Sequence, residues 1–325
     1  MRFVDRLNSD IQYYGTRAMI RLIRAIPYHA AIAFGRSIML LVWVFMPLRR
    51  KIVKIQLSST LGLDNPWRLG LKVFMNQGEI LVDAIKYAYM SDEEIKAKVI
   101  VEGKEYLDEA LSSGRGLMIF TGHIGNWEVL SNAPRLLGTQ FCHMADIRKD
   151  ARLESIINEM RTRSGVTILP PKGKGLMLIK QLRKGRTISM IVDQRGKSRD
   201  GLLCDFFGLP AVTNPGPAFL ALKGNALVLP AYTVKLGGVH RICITKAMDA
   251  SAFGDGDEAI QRLSDFMQSF IASVVEQYPD QWFWLHSRWI RRKDFQNIKT
   301  DKDFRDSVFA QAERTRSKKK KHEAA

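Results

Sequence analysis

Apolar residues recur at every third or fourth position at the start of the chain, and this spacing predicts an amphipathic helix over residues 3–24. Arg17, Arg21 and Arg24 lie off the apolar stripe, and Pro27 ends the helix. The stripe consists of Phe3, Leu7, Ile11, Tyr14, Ala18, Leu22 and Ala25.

The most apolar stretch follows at residues 30–48, interrupted only by Arg36. The uninterrupted run after it, 37–48, is shorter than the roughly 18–20 residues of a spanning helix, and basic residues flank it on both sides. We therefore favour a helix that lies in the membrane interface with Lys and Arg at the headgroups. A spanning helix with a snorkelling Arg36 and a buried core helix are the alternatives. Residues 1–67 are predicted to form an N-terminal unit of membrane-associated helices.

From residue 68 the pattern changes to alternating strands and helices, which predicts a single α/β domain over 68–293 with helices flanking a mostly parallel or mixed central sheet. A long amphipathic helix is expected at 257–278, before Pro279. After residue 294 the chain becomes polar, and residues 294–325 read as a basic tail that is disordered around 318–322. The predicted strands are 116–121, 140–144, 166–169, 187–192, 226–234 and 240–245, and the helices between them lie near 126–137, 151–164, 174–184 and 213–223.

Composition adds a strong positive charge to this picture. The formal net charge is +17, although hydrophobic residues (46%) and charged residues (26%) are ordinary for a folded domain. Such a surface suits an anionic partner: a membrane leaflet, an acidic protein, a phosphorylated substrate or a nucleic acid. Three widely separated cysteines form no disulfide or metal pattern, which indicates reduced thiols on a cytoplasmic face. Two acidic residues precede the first long apolar run, which disfavours a cleaved secretory signal.

The candidate chemistry lies in residues 116–138, which read as a buried strand, a glycine-containing turn and a helix. His123 falls at the end of the strand, and Asn126 is suited to cap the helix, which places Glu128 in its first turn. Five residues along an ideal helix rotate by about 140°, but an intervening turn lets the two side chains converge. The sequence thus predicts a histidine oriented by an acid at the carboxyl end of a strand, where open α/β sheets bind ligands.

Such a pair can perform base catalysis. A histidine takes a proton from a hydroxyl near neutral pH, while the acid fixes its tautomer and stabilises the imidazolium. Backbone N–H groups of the turn are candidates for stabilising an oxyanion. A histidine followed by a glutamate at this spacing also occurs by chance, so the pattern alone leaves the role open.

Three ordered blocks resemble the bacterial lipid A biosynthesis acyltransferases, within the wider glycerolipid and lysophospholipid acyltransferase superfamily. The blocks are TGHIGNWE at 121–128, DQRGKSRDGLLCDFFGLPAVTNPGPAFLAL at 193–222 and YPDQWFWLHSRW at 278–289, with weaker similarity through most of 1–292. In that family the HxxxxE or HxxxxD box is the catalytic dyad. The resemblance therefore implies that His123 is the general base and Glu128 its partner.

The resemblance also implies roles for other residues. Asp193 ends the strand at 187–192 beside Gln194, and it is either an active-site acid or a cap for the following loop. Substrate contacts are expected from Asn126 and Gln194. Arg148 stands in ADIRKD, where the family often has Tyr-Arg-Pro, so its contact with a substrate phosphate lacks the usual neighbours.

Two further groups keep two interpretations each. Arg161 and Arg163 resemble a second basic block of the family, and they either contact substrate or form a solvated helix face. The aromatic residues of 282–289 suit a lipid headgroup boundary, but they also suit a buried C-terminal segment. His286 is expected to be structural, and Phe206 and Phe207 are candidates for either an acyl channel or the core.

The absence of GxSxG, HExxH, P-loop and GxGxxG motifs leaves no support for a serine nucleophile, a metal or a nucleotide cofactor. We expect an O-acyltransferase that needs no cofactor and moves a fatty acyl chain from acyl carrier protein or acyl-CoA to a lipid A precursor or related glycolipid. Its expected place is the inner membrane, with the active site facing the cytoplasm. The alternatives are a catalytically silent membrane scaffold and, with least support, a nucleic-acid-binding protein.

Overall fold

The computed structural model describes residues 3–130, 133–144, 151–169, 175–197 and 201–323. Helices occupy both ends of the chain and alternate with strands between them. The helices are α1 (Phe3–Ala25), α2 (Tyr28–Phe45), α3 (Pro47–Leu61), α4 (Trp67–Ala88), α5 (Asp92–Lys96), α6 (Lys104–Ser112), α7 (Trp127–Leu130), α8 (Ala133–Leu137), α9 (Ala151–Arg163), α10 (Gly175–Arg183), α11 (Gly216–Lys223), α12 (Gly256–Gln277) and α13 (Asp301–Glu323), with short 3-10 turns at Ala250–Phe253, Pro279–Gln281 and Arg292–Gln296.

A mixed, mostly parallel sheet forms the centre of the fold, as the alternating pattern predicts. Its strand order is β1-β9-β8-β2-β5-β3-β4, β10 pairs with β8, and β6 and β7 form a separate antiparallel hairpin. Within the described ranges, the β8–β9 and β8–β10 pairings of the central sheet are antiparallel and its other pairings are parallel. The strands are β1 (Val99–Glu102), β2 (Leu117–Thr121), β3 (Phe141–Met144), β4 (Thr167–Leu169), β5 (Thr187–Ile191), β6 (Leu202–Phe206), β7 (Leu209–Thr213), β8 (Leu227–Leu236), β9 (Val239–Ile244) and β10 (Met248–Asp249).

The middle of the sheet sets the position of the candidate site. Every residue of β2 is buried, as expected for a parallel strand with helices on both faces. Strands β2 and β5 pair in parallel, and Thr121 lies opposite Ile191 at their carboxyl ends. Two residues beyond each of these positions are His123 and Asp193, so the register brings the two side chains to one edge of the sheet.

The N-terminal helices pack on α4, and the contact between α2 and α4 requires glycine on both sides. A Cβ atom at Gly35 would overlap the backbone of Gly78, and one at Gly78 would overlap the backbone of Gly35. At the same crossing Arg36 forms an ion pair with Glu79. The charged residue of the apolar stretch is therefore neutralised by α4.

Helix α2 has one buried side and a wide exposed apolar face. Its buried residues are Ala31, Gly35 and Trp43, while Phe45 keeps 75% of its surface exposed. Among the described residues, α2 is the one helix long and apolar enough to cross a membrane, judged by length and composition. The alternative of a buried core helix does not fit this exposure.

The segment after residue 294 differs from the expected disordered tail, because it contains α13. Phe304, Val308 and Ala312 are buried at a spacing of four residues, and Gln311 donates a hydrogen bond to the carbonyl of Trp289. Phe295, just before this helix, is fully buried as well. A narrow apolar stripe thus ties α13 to the domain, although most of its residues are polar.

Candidate active site

The ends of β2 and β5 bring His123 and Asp193 into direct contact. Asp193 Oδ1 lies 2.7 Å from Nδ1 of His123, and Oδ2 accepts the backbone N–H of His123 at 2.7 Å. The indole N–H of Trp282 donates to the same Oδ2 at 2.8 Å. Asp193 is completely buried, so these donors replace water around its carboxylate.

These contacts fix the tautomer of His123. Because the ionised carboxylate only accepts hydrogen bonds, Nδ1 of the neutral ring carries the proton. Nε2 then has the free lone pair, and it accepts a hydrogen bond from the amide of Gln194 at 3.3 Å. Gln194 is exposed, whereas His123 keeps only 8% of its surface open. The basic nitrogen therefore lies beside the open edge of the sheet.

The pair shifts the pKa of both members. Burial works to lower the pKa of His123, but the charge of Asp193 and its hydrogen bond outweigh burial and raise that pKa above the ordinary 6.5. Burial would raise the pKa of Asp193, but the charge and hydrogen bond of His123 hold it well below its usual range. Asp193 is thus ionised at neutral pH, and it strengthens His123 as a base.

Glu128 occupies a different position from the one expected for the histidine's partner. Its carboxylate accepts two hydrogen bonds from Arg161, at 2.6 Å and 3.1 Å, while Oδ1 of Asn126 caps the first turn of α7 by accepting the N–H of Glu128 at 3.2 Å. The carboxylate that contacts Nδ1 of His123 is that of Asp193, because α7 directs Glu128 towards α9. Glu128 still acts on His123 through its charge. Its catalytic role stays a prediction.

The turn after β2 is held close to β8 and to the segment after α12. Gly125 has a positive φ of 52°, and a Cβ atom there would overlap the carbonyl of Thr233. The N–H of Gly125 donates to the carbonyl of Gln281 at 2.8 Å, and the carbonyl of His123 accepts the N–H of Phe283 at 3.0 Å. These backbone bonds fix the orientation of His123 from both sides.

Aromatic side chains enclose the histidine and its carboxylate. The ring centroid of Trp127 lies 4.8 Å from that of His123, and the ring of Phe283 lies 5.9 Å away. Trp282, Trp284 and Trp289 are almost completely buried. Of the two interpretations of this aromatic cluster, the buried C-terminal segment is the one observed.

His286 lies behind His123, with a distance of 6.3 Å between the two ring centroids. Its Nδ1 donates to the carbonyl of Phe283 at 2.7 Å, and its ring stacks on Phe283. Burial lowers the pKa of His286 to about 4, so this ring is neutral at physiological pH. The arrangement agrees with the structural role expected for it.

An apolar cavity of about 570 Å³ begins at the candidate site. Trp127, Glu128 and Arg161 line it beside the histidine, together with Phe283 and Leu285. The far wall comes from α1, α2, α4 and α9, through residues Thr16, Met19, Ile20, Met39, Gln77, Ile80, Leu81, Ala84, Ile85, Ala88, Ile156, Ile157, Met160 and Ser164. The N-terminal helices therefore contribute to the site as well as to the surface.

The other predicted residues fall in different places. Arg163 lies on the exposed face of α9, paired with Glu159, and its guanidinium covers the ring of Tyr89. Arg148 lies outside the described residues. Phe206 is buried against Trp282 and Trp289 in the core, away from the cavity lining.

Sequence reasoning missed Trp282 as a hydrogen-bond donor to Asp193, although the aromatic cluster around it is visible in the sequence. It also left the partner of Arg161 unassigned, because nothing local connects residues 128 and 161. No three His, Cys, Asp or Glu side chains of the described ranges are grouped closely enough to hold a metal ion.

Comparisons with known proteins place the chain in a family. The family model described as bacterial lipid A biosynthesis acyltransferase matches residues 6–291. A phosphatidylinositol mannoside acyltransferase of Mycobacterium tuberculosis is 28% identical over 59% of this chain, a match that spans 60% of that relative, less than two thirds of its length. A lipid A biosynthesis palmitoleoyltransferase of Escherichia coli is 23% identical over 67% of this chain and 70% of its own length.

Among solved structures, the 1-acyl-sn-glycerophosphate acyltransferase PlsC from Thermotoga maritima aligns with 77% of this chain and 96% of its own, at 14% identity and a TM-score of 0.36. The family match, by contrast, runs through nearly the whole chain and includes the strand, turn and helix that carry His123 and Glu128. This protein therefore belongs to the bacterial lipid A biosynthesis acyltransferase family.

Proposed function

We propose that this protein is an O-acyltransferase that moves a fatty acyl chain from a thioester to a hydroxyl of a membrane glycolipid, with His123 as general base. The observation that carries the proposal is the tautomer of His123. Nδ1 is held by a buried carboxylate at 2.7 Å, which leaves the lone pair on Nε2 at the edge of the sheet. Proton abstraction from a hydroxyl needs this arrangement.

In the proposed reaction, Nε2 of His123 takes the proton of the acceptor hydroxyl as its oxygen attacks the thioester carbon. Asp193 stabilises the imidazolium that forms, without taking its proton. When the tetrahedral intermediate collapses, the carbon–sulfur bond breaks, and His123 returns the proton to the departing thiolate. One ester and one thiol result, and the enzyme regains its starting state.

The oxyanion of that intermediate requires a hydrogen-bond donor. The backbone N–H groups of His123, Gly125 and Glu128 are engaged within the protein and do not serve as this donor. The buried Nδ2 of Asn126 has no hydrogen-bond partner among the described residues. We assign the donor role to Asn126, which keeps it among the substrate-contacting residues.

The apolar cavity is the proposed site of the donor's acyl chain. Its size lies within the roughly 300–1,000 Å³ range of small-ligand sites, and its lining is mainly aliphatic. A chain bound there would place its reactive end beside Trp127 and Phe283, which both contact the ring of His123. Glu128, at the same end, supplies negative charge that favours the imidazolium, while the charge of Arg161, which holds it, opposes part of that effect.

Access to lipid would come from the exposed tip of α2. Leu41, Val44 and Phe45 are more than half exposed there. Beside them Arg50 and Lys54 cover the ring of Trp67, at 5.5 Å and 5.2 Å from its centroid. Apolar side chains next to cations and an indole suit an anionic membrane interface. We place the protein at the cytoplasmic face of the inner membrane, with this tip among the headgroups.

The acceptor class follows from the relatives, which are named for phosphatidylinositol mannoside and for lipid A biosynthesis. Both names describe a sugar-containing lipid, so a glycolipid hydroxyl is the proposed acceptor. The basic surface of this chain, with a net charge of +17, favours an anionic donor, and both acyl carrier protein and the phosphate-bearing acyl-CoA meet that requirement.

The test incubates detergent-purified protein with acyl–acyl carrier protein and a total lipid extract of its source, and follows lipids that gain one acyl unit by mass spectrometry. Acyl-CoA is tested in parallel as donor. A shifted glycolipid that requires the protein supports the proposal and identifies the acceptor. Membrane binding without transfer from either donor would instead favour the silent scaffold.

A further inference from the structure

A second buried charge lies behind the candidate base. Arg288 is completely buried, and all the hydrogen bonds of its guanidinium go to uncharged groups. Nη1 donates to the carbonyl of Val212 at 2.8 Å, and Nη2 donates to Thr213 Oγ1 at 2.7 Å and to Gln268 Oε1 at 2.9 Å. No ion pair to Arg288 occurs in the described part of the chain. An isolated cation in such a place is costly, so the fold must provide a negative charge nearby.

Asp193 supplies that charge. It is the acid whose field acts most strongly on Arg288. Two hydrogen bonds also connect Arg288 to the strand end next to Asp193, because Gln268 accepts from Arg288 and donates through Nε2 to the carbonyl of Val192 at 2.9 Å. Val192 is the residue immediately before Asp193. The cation is therefore fixed to the backbone that carries the carboxylate.

The buried carboxylate of Asp193 likewise needs a positive charge nearby. Asp193 is ionised and fully buried, yet its direct partners are the neutral indole of Trp282, a backbone N–H and the ring of His123. Before proton transfer His123 must be neutral, so it cannot balance the charge of Asp193 in the resting enzyme. His286 is neutral too, since burial lowers its pKa to about 4.

We propose that Arg288 is a positioning residue for the transfer reaction: it supplies the buried positive charge that balances Asp193 while His123 is neutral and able to accept a proton. This inference rests on the proposed function of His123 as base. Arg288 then acts on the reaction through Asp193, without contact to the substrate or the reacting atoms.

The charges around His123 and Arg288 determine in which direction the loss of the Arg288 charge shifts the pKa of His123. The titratable groups around His123 are Asp193, Glu128, Arg161 and His286, and the charges that act on Arg288 come from Asp193, Cys204 and Arg195. Removal of the Arg288 charge leaves the negative field of Asp193 less compensated, so His123 binds its proton more tightly. The pH below which activity is lost should therefore move upward.

The experiment compares Arg288→Gln, which keeps hydrogen-bond donors without charge, with Arg288→Lys, which keeps charge with fewer hydrogen bonds. Arg291→Gln removes an exposed arginine and serves as the matched control. We expect the acid limb of kcat/KM in Arg288→Gln to rise by roughly one pH unit, as loss of a nearby buried charge does. Arg288→Lys and Arg291→Gln should keep the wild-type limb.

Two results would overturn the proposal: a wild-type acid limb in Arg288→Gln, or equal shifts in the Gln and Lys variants, which would reveal a purely structural role. If Arg288→Gln folds poorly, a double-mutant cycle based on melting temperatures tests the proposal instead. Adding Asp193→Asn to that variant removes both buried charges, and this double variant should melt at a higher temperature than Arg288→Gln alone. Additive destabilisation would contradict the pairing. The cycle needs no activity, so it stays informative even if His123 proves not to be the base.

Discussion

The substitution Asp193→Asn separates the two carboxylates that compete for the role of partner to His123. Oδ2 of Asp193 accepts two hydrogen bonds, from the backbone of His123 and from Trp282, while Oδ1 accepts one, from Nδ1. In asparagine the amide oxygen must take the Oδ2 position, since two donors point at it. The amide N–H group then faces Nδ1, which has to become the acceptor. The ring proton moves to Nε2, and the lone pair that abstracts the hydroxyl proton is lost.

The expected loss in kcat is on the order of 10²–10⁴-fold, the contribution of a positioned base, with each tenfold step equal to about 1.4 kcal/mol of barrier. Glu128→Gln is the matched variant, because a glutamine can still pair with Arg161 and leaves the tautomer of His123 unchanged. We expect Glu128→Gln to retain at least about tenfold more activity than Asp193→Asn, by the same barrier arithmetic.

The assay is transfer of a labelled acyl group under saturating donor, with thermal melting as the control for folding. Asparagine conserves both hydrogen bonds at the Oδ2 position but leaves the buried charge of Arg288 uncompensated, so we expect a lower melting temperature with the fold retained at the assay temperature. A Glu128→Gln enzyme that loses more activity than Asp193→Asn would refute the assignment of Asp193 as the histidine's acid. It would return the role to the carboxylate expected from the sequence.

Three further expectations concern pH, the cavity and the membrane. Because Asp193 raises the pKa of His123 above 6.5, kcat/KM should fall as the pH drops through this raised value, and a wild-type acid limb below 6.5 in a pH–rate profile would contradict the pairing. Ala84→Trp fills the cavity wall, so transfer of long acyl chains should fall at least about tenfold while short chains are still used, as a donor series of graded length will measure. Phe45→Asp should weaken binding to anionic vesicles in a flotation assay, whereas Leu176→Asp, at an equally exposed position on α10, should not; equal losses would count against α2 as the membrane face.

The sequence predicted most of the central fold because its strands carry their own signal. The apolar runs around β2 and β5 are nearly continuous, as buried parallel strands require. The β6–β7 hairpin was not predicted because its strands are short, although Gly208, which follows Phe207 with a positive φ, marks its turn. Helix α13 was missed because charged residues surround its apolar stripe.

The site was predicted only in part. His123 was found from its place at the end of a strand, and the same argument put Asp193 at the same edge of the sheet. Their hydrogen bond depends on the parallel register of β2 and β5, in which residues 70 positions apart become neighbours, and local spacing does not encode that register. Glu128 was close in sequence, so spacing favoured it. Arg161, 33 positions further on, turns it away.

The central claim is that Nε2 of His123 is the base, and His123→Ala tests it most directly. The measurement is acyl transfer to the glycolipid acceptor, followed by mass spectrometry, with the exposed His29→Ala variant as the matched control. The account predicts that His123→Ala remains folded and binds vesicles but forms no acylated product, while His29→Ala transfers at the wild-type rate. Product formation by folded His123→Ala at a rate near that of the wild type would contradict it.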